Sequence, residues 1–263
     1  MTYSMFTQCP ADAVKIIQLT DTHLYADASR TFDGVNTQNS LECVIDLARE
    51  NHWPPDMVLA TGDLAHEPVP AAYERLREIF NGLKIPVYCI PGNHDDPTVM
   101  GKTLPASNVH LTRSIRGPQW QIILLDTVVP DSHGGHLAGS EQTYLNEALR
   151  AAPEAYALIC LHHSPVLIGS RFMDEIALDN PAALFAIIDR YPQVRAVLWG
   201  HIHQEFSAER GGVHLFGSPS TCVQFKPGAQ EYVPDTQPPG YRWLLLQGDG
   251  TVQTGIQRVK GAA

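Results

Sequence analysis

The sequence has no long apolar run, no paired cysteine motif and no excess of positive charge, and each absence removes a class of protein. Nothing in it approaches the ~18 consecutive apolar residues that a membrane-crossing helix needs. Met1 to Ala13 carries neither the basic start nor the apolar centre of a secretory leader. Cys9, Cys43, Cys89, Cys160 and Cys222 are scattered and odd in number, so they read as free, mostly buried thiols rather than as a zinc knuckle or redox pair. Against 28 Asp plus Glu stand only 18 Lys plus Arg, a formal charge of −10 that excludes the basic face of a nucleic-acid binder. A small anionic substrate stays compatible with this acidity, because bound divalent cations reverse the potential inside one pocket. Linkers, low-complexity tracts and solenoid repeats are also missing. The expectation is one domain spanning residues 1–263, with the cytoplasm as default compartment.

What is present is an alternation of apolar runs and helical spacing. Ala13 to Leu19, Met57 to Ala60, Pro86 to Ile90, Ile122 to Leu125, Ala157 to Leu161 and Val194 to Trp199 read as buried strands. Ser40 to Asn51, Ala71 to Asn81, Ser140 to Ala151 and Pro181 to Tyr191 read as helices, with Ser140 and Thr143 at one start and Asn180 capping Pro181 at another. Alternation of this kind predicts an α/β core. From about residue 205 to 263 the pattern becomes β-rich, with strand-like Val213 to Phe216, Tyr241 to Leu246 and Thr251 to Ile256.

Five polar clusters stand at the ends of apolar runs: Asp21-Thr22-His23, Gly62-Asp63, Gly92-Asn93-His94-Asp95, His162-His163 and Gly200-His201-Ile202-His203. Loops after the carboxyl ends of strands converge on one cleft in open α/β sheets. In extended backbone, Asp21 and His23 would point to one side and grip one ion, and His201 and His203 repeat the spacing. Asp63 has two oxygens and can bridge two cations, while Asn93 adds a neutral carbonyl ligand. Of the adjacent pair His162 and His163, strand alternation lets one reach the metals. The resulting mixed nitrogen and oxygen set suits Mn, Fe, Zn, Ni or Co. Seven ligating residues exceed one four-coordinate zinc and fit two ions about 3.5–4 Å apart. His66 reads as solvated or supporting, His133 and His136 as parts of a Gly134-Gly135 turn, and His52, His110 and His214 as surface or satisfied core groups.

This ordered series resembles the calcineurin-like metallophosphoesterase family from Ile17 to about Trp243. Gln18 to Leu24, Gly34 to Thr37, Ala60 to Ala65, Pro91 to Asp95, Gly200 to Glu205 and Pro219 to Pro227 further resemble the bacterial class III 3′,5′-cyclic nucleotide phosphodiesterases, the cyclic AMP group. The last segment has no metal-binding logic of its own, yet it is the most specific match. The resemblance implies a double β-sheet sandwich flanked by helices, in α-β-β-α layers, with the dimetal site at the carboxyl ends of strands. It implies that Asp21, His23, Asp63 and His203 surround one ion and Asp63, Asn93, His162 and His201 the other. The ions would be divalent or mixed-valence transition metals, iron and/or manganese ahead of zinc, cobalt or nickel.

The resemblance also implies hydrolysis of 3′,5′-cyclic AMP to 5′-AMP. A hydroxide bridging the ions attacks phosphorus in line, and His94, free of metal, assists the leaving 3′ oxygen. His23, Asp63, Asn93, His94 and His203 would face the phosphate. Arg171 and Phe172 admit two readings: Phe172 stacks on the base while Arg171 or Asn180 reaches base or phosphate, or Phe172 and Met173 simply pack a loop. Gln224, Phe225 and Lys226 stand equally open. The partner would be a small cyclic nucleotide, with no nucleic acid or membrane, on a monomer or homodimer.

Four other readings share part of this pattern. A protein Ser/Thr phosphatase is disfavoured because Asp63 is followed by Leu64-Ala65-His66-Glu67 and lacks the phosphate-gripping arginine expected there. A repair nuclease would need basic surface. Action on another small phosphoester or nucleotide pyrophosphate shares the metal centre, whereas a non-catalytic scaffold on this fold would show gaps in the ligand set.

Overall fold

The apolar runs become strands covered on both faces, which is why they read as continuous rather than alternating. The structure, a computed structural model, describes residues 12–260, so Cys9 and most of the Met1 to Ala13 stretch lie outside it. The first half comprises β1 (Val14–Leu19), β2 (Thr31–Phe32), β3 (Val35–Asn36), α1 (Thr37–Asn51), β4 (Met57–Thr61), α2 (Pro70–Gly82), β5 (Val87–Ile90), α3 (Pro97–Thr103), β6 (Val109–His110), β7 (Ser114–Arg116) and β8 (Trp120–Leu124). There follow α4 (Gly139–Arg150), β9 (Tyr156–Cys160), α5 (Arg171–Asp174), α6 (Pro181–Ile188), β10 (Val194–Trp199), β11 (Phe206–Arg210), β12 (Val213–Gly217), β13 (Gln224–Phe225), β14 (Pro234–Asp235), β15 (Gly240–Leu246) and β16 (Val252–Arg258).

Two mixed sheets result. One has the order β16-β15-β1-β4-β5-β6 and the other β11-β12-β10-β9-β8-β7. In the first, β1, β4, β5 and β6 are parallel; in the second, β12, β10, β9 and β8 are. Antiparallel β15 and β16 extend the first, and antiparallel β7 and β11 the second. The β-rich end of the chain is therefore divided between both sheets.

Strand alternation decides what each side chain meets. Ile16, Leu59 and Ile90 join Trp120, Ile122, Leu158 and Leu198 in a cluster between the sheets. Ile17 and Leu19 point the other way, onto Leu41 and Val44 of α1 and Tyr73 and Phe80 of α2. Ile123, Ile159 and Val197 likewise meet Leu145 and Leu149 of α4 and Leu184 of α6. The layers are helix, sheet, sheet, helix.

Some boundaries differ from expectation. Helix α1 begins at Thr37 rather than Ser40, because Asn36 Oδ1 accepts from the Asn39 N–H at 2.9 Å. Ser140 does not open α4; the cap position falls on Ala138, and Thr143 Oγ1 donates back to the Gly139 carbonyl at 2.9 Å. Asn180 occupies the cap position of α6 without capping it, since its amide pairs with the backbone N–H and carbonyl of Leu137 at 2.9 and 3.0 Å. Helix α6 ends at Ile188, short of Tyr191.

Candidate metal centre

Parallel β1, β4 and β5 of one sheet and β9 and β10 of the other deliver all five polar clusters to one edge of the sandwich. The backbone there is not extended. Asp21, His23, Asp63, His201 and His203 have φ of 54°, 45°, 50°, 65° and 48°, in the left-handed region. The Asp-x-His and His-x-His pairs thus converge by alternating left-handed residues with ordinary ones, and not through the strand geometry the spacing suggested. Asp21 N donates to the Gly62 carbonyl at 3.0 Å, His23 N to Asp63 at 2.9 Å and Leu24 N to Leu64 at 3.1 Å, which stitches the first two loops together. The glycines allow close approach: a Cβ on Gly62 would overlap the His162 ring, one on Gly92 the Asp63 carboxylate, and one on Gly200 Thr20 Oγ1.

The ligand atoms of Asp21, His23, Asp63 and His203 lie within 4.8 Å of one another, as do those of His162, His163 and His201. Asp63 joins the groups, with Oδ2 3.7 Å from His23 Nε2 and 3.4 Å from His162 Nε2. His203 Nε2 stands 3.3 Å from Asp21 Oδ1 and 3.2 Å from His23 Nε2. Carbonyls fix the far side of three rings: His162 Nδ1 donates to Thr61 at 2.8 Å, His203 Nδ1 to Val223 at 2.7 Å and His201 Nε2 to Ile176 at 3.0 Å. Such bonds select the tautomer whose other nitrogen faces a metal.

Burial holds the His23 and His201 imidazoles well below the ordinary histidine range, in the neutral form that binds metals. At His162 burial is outweighed by the Asp63 carboxylate, which pushes the ring up to about 9. Against the penalty of burial, His162 and then His23 hold the Asp63 carboxyl well below the usual carboxylate range. His162 Nε2 and Asn93 Oδ1 are buried with no hydrogen-bond partner. Two buried carboxylates, orphaned donor atoms and rings pinned from behind fit a pair of transition-metal ions.

His163 does not point away as strand alternation predicts, because β9 ends at Cys160. Its ring lies 5.0 Å from His162 and 4.7 Å from His201, and its Nδ1 is 2.8 Å from Thr127 Oγ1. His94 donates from its backbone to Asp63 Oδ1 at 2.8 Å and from Nδ1 to the His66 carbonyl at 3.2 Å. His66, read as solvated or supporting, and His133, read as part of a turn, both reach the site: His66 Nδ1 is 3.3 Å from His23 Nδ1, and the His133 ring is 5.9 Å from His94. Asp95 accepts from the N–H groups of Leu64, Ala65 and Gly92 at 3.0, 3.1 and 2.9 Å and from Tyr73 Oη at 2.9 Å, clamping the Asp63 loop to the Asn93 loop.

The segment from Pro219 to Pro227 acquires its logic here. Ser220 Oγ donates to the Asp21 carbonyl at 2.8 Å, the Val223 carbonyl holds His203, and Phe225 stacks on the His203 ring at 4.0 Å and 4°. His23, Asp63, Asn93, His94, His201 and His203 line a cavity of about 210 Å³ together with Phe32, Phe172, Phe225 and Tyr232. Arg171 is not among its lining residues; it pairs with Glu175 at 2.8 Å.

A shared edge of two parallel strand sets, carrying two donor groups joined by a buried aspartate, defines a metal-dependent hydrolase centre. The chain belongs to the calcineurin-like phosphoesterase family, whose model matches residues 14–205. It is 40% identical to the 3′,5′-cyclic adenosine monophosphate phosphodiesterase CpdA of Pseudomonas aeruginosa, covering 94% of this chain and 90% of that protein. The CpdA of Escherichia coli strain K12 is 38% identical over 94% of this chain and 90% of its own. A 3′,5′-cyclic-nucleotide phosphodiesterase of Nostoc is 41% identical over 94% of this chain and 92% of its own. A dimetal phosphatase from Danio rerio superposes with a TM-score of 0.59 at 14% identity, over 94% of this chain and 99% of that one, which shows the fold alone. Among the described residues no helix is long and apolar enough to cross a membrane.

Proposed function

We propose that this chain hydrolyses 3′,5′-cyclic AMP to 5′-AMP, in the cytoplasm, as a single-domain monomer or homodimer. The observation that carries this is one cavity joining the donor groups to an aromatic wall, in a chain 40% identical over 94% of its length to a relative named for that reaction. Asp21, His23, Asp63 and His203 would hold one transition-metal ion and Asp63, Asn93, His162 and His201 the other, iron and/or manganese. Such a pair supplies a nucleophile at neutral pH and neutralises charge on the phosphate oxygens.

The chain's own side chains do the rest. Asp63 is fixed by the His94 backbone, and the carbonyls behind His162, His201 and His203 hold their rings without rearrangement. His23, Asp63, Asn93, His94 and His203 face the phosphate. With Nδ1 given to the His66 carbonyl, His94 presents Nε2, from which a proton passes to O3′ as the phosphorus–O3′ bond breaks. Water adds its oxygen to phosphorus and releases a proton to solvent, and the His94 ring takes one back from solvent.

The test compares kcat/KM of manganese-reconstituted protein on 3′,5′-cyclic AMP, 2′,3′-cyclic AMP and bis(p-nitrophenyl) phosphate. The 3′,5′-cyclic substrate should lead. Negligible turnover of it beside strong activity on either other compound overturns the proposal.

A further inference from the structure

We propose that Phe32, Phe172, Phe225 and Tyr232 form a stacking seat for the base, one that grips its faces without reading its edge, so that cyclic GMP is accepted about as well as cyclic AMP. This rests on the hydrolysis proposed for the same site and assigns its base selectivity.

The lining of the cavity divides by chemistry. Histidine, aspartate and asparagine side chains cluster around the donor atoms, and the remaining lining is Phe32, Phe172, Met173, Ile176, Phe225 and Tyr232. Three of these rings meet edge to face: Phe172 is 6.0 Å from Phe225 and 5.4 Å from Tyr232, and Phe225 is 5.2 Å from Tyr232. Phe225 continues this wall onto His203. Phe32 approaches from the β2–β3 hairpin, its ring 5.1 Å from His23. Tyr232 Oη donates to the Asp33 carboxylate, tying the hairpin to the segment that carries Phe225. Tyr232 is 40% exposed, so its ring stands at the mouth and not in the core.

Three polar side chains near the aromatic wall, Arg171, Gln224 and Tyr232, are engaged elsewhere. Arg171 pairs with Glu175. Gln224 Nε2 donates to the carbonyls of Ser220 and Cys222, and its Oε1 accepts from Arg258. The Tyr232 hydroxyl is held by Asp33. Stacking tolerates any base because every base has a π face. Strong rejection of an analogue requires polar groups that are left unpaired by it, and this wall presents hydrocarbon, a thioether and a hydroxyl already held by Asp33.

Manganese-loaded protein is assayed on cyclic AMP, cyclic GMP and the base-free ribose 3′,5′-cyclic phosphate, and its binding of 5′-AMP and ribose 5-phosphate is measured by calorimetry. Cyclic GMP should lie within about tenfold of cyclic AMP in kcat/KM, and the base-free compound at least about tenfold below, mainly through KM. Phe172→Ala should shrink the ratio of cyclic AMP to the base-free compound at least about fivefold, while Phe172→Tyr preserves it. Tyr232→Ala, at an exposed ring, should lower the preference for 5′-AMP over ribose 5-phosphate by the same factor and serves if Phe172→Ala does not fold. Turnover of cyclic AMP with cyclic GMP more than tenfold poorer, or smaller changes in both alanine variants, overturns the seat. Preference for 5′-AMP without turnover of any cyclic nucleotide upholds the seat and overturns the hydrolysis.

Discussion

At Asp21, His23, Asp63, His201 and His203 a side chain sits on left-handed backbone, a conformation that costs roughly 1–2 kcal/mol per residue. Aspartate tolerates it better than most residues, and histidine is also enriched there. The donor types were legible in the sequence because the chemistry resides in the residue; their backbone was not, since spacing cannot distinguish a strand end from alternating turns. The same limit explains His163, assigned to the opposite face by an alternation that stops at Cys160. His66 was legible only as a solvated or supporting group and His133 only as part of a turn, because their place depends on loops meeting from different strands. The His94 ring is pinned by the His66 carbonyl and lies outside the Asp21, His23, Asp63 and His203 group, although its ligand atom is within 4.8 Å of those of His23 and His66. His94→Ala should therefore lower kcat on cyclic AMP by about 10²–10⁴ while two metal ions per chain persist in elemental analysis. Loss of an ion would make His94 a ligand instead.

Elements of four residues or more with a continuous apolar run were legible from the sequence, as in β1, β4, β9 and β10. Two-residue strands such as β6, β13 and β14 were not, because a pair of residues has no period. Between elements, buried polar contacts do the positioning. Asp95 ties the loop after β4 to the loop after β5 through three N–H groups, so its truncation strands buried donors. Asp95→Ala should reduce unfolding free energy by about 2–4 kcal/mol in urea titrations, and metal content should fall with it. A second joint lies where α1 ends on β15. His52 is buried there, its Nδ1 2.8 Å from Tyr241 Oη and its ring stacked on Trp243 at 5.1 Å. Burial holds its pKa down to about 4, against 6.5 for an ordinary histidine. The unfolded chain thus takes up this proton at higher pH than the folded one. The associated destabilisation is absent above about 6.5, grows as pH falls and is complete below about 4. Across that window Tm should fall more steeply for the native protein than for His52→Gln; parallel slopes would remove His52 from the acid response.

On the scale of the whole molecule, the order of strands was beyond the sequence. Residue 14 pairs with residue 246, and periodicity carries no information about a partner so far along the chain. That sheet partnership nevertheless decides what the site does to stability. Asp21, His23, Asp63 and Asn93 follow strands of one sheet, and His162, His201 and His203 follow strands of the other. Ions held by the proposed sets would join the two sheets at one edge, and unfolding would have to release them. A ligand bound only by the folded state at a hundred times its Kd adds about 2.7 kcal/mol, and in a chain of this size each kcal/mol moves Tm by roughly 2–4 °C. Chelation should therefore lower Tm by roughly 5–10 °C for each ion removed, and manganese should restore it. Asp63→Asn, which weakens the residue common to both sets, should abolish the restoration while leaving the far-UV circular dichroism of the sandwich in place. A Tm indifferent to chelation in the native protein would mean that the two donor groups do not bind ions together across the sheets, and the assignment of Asp63 as the shared ligand would fall with it.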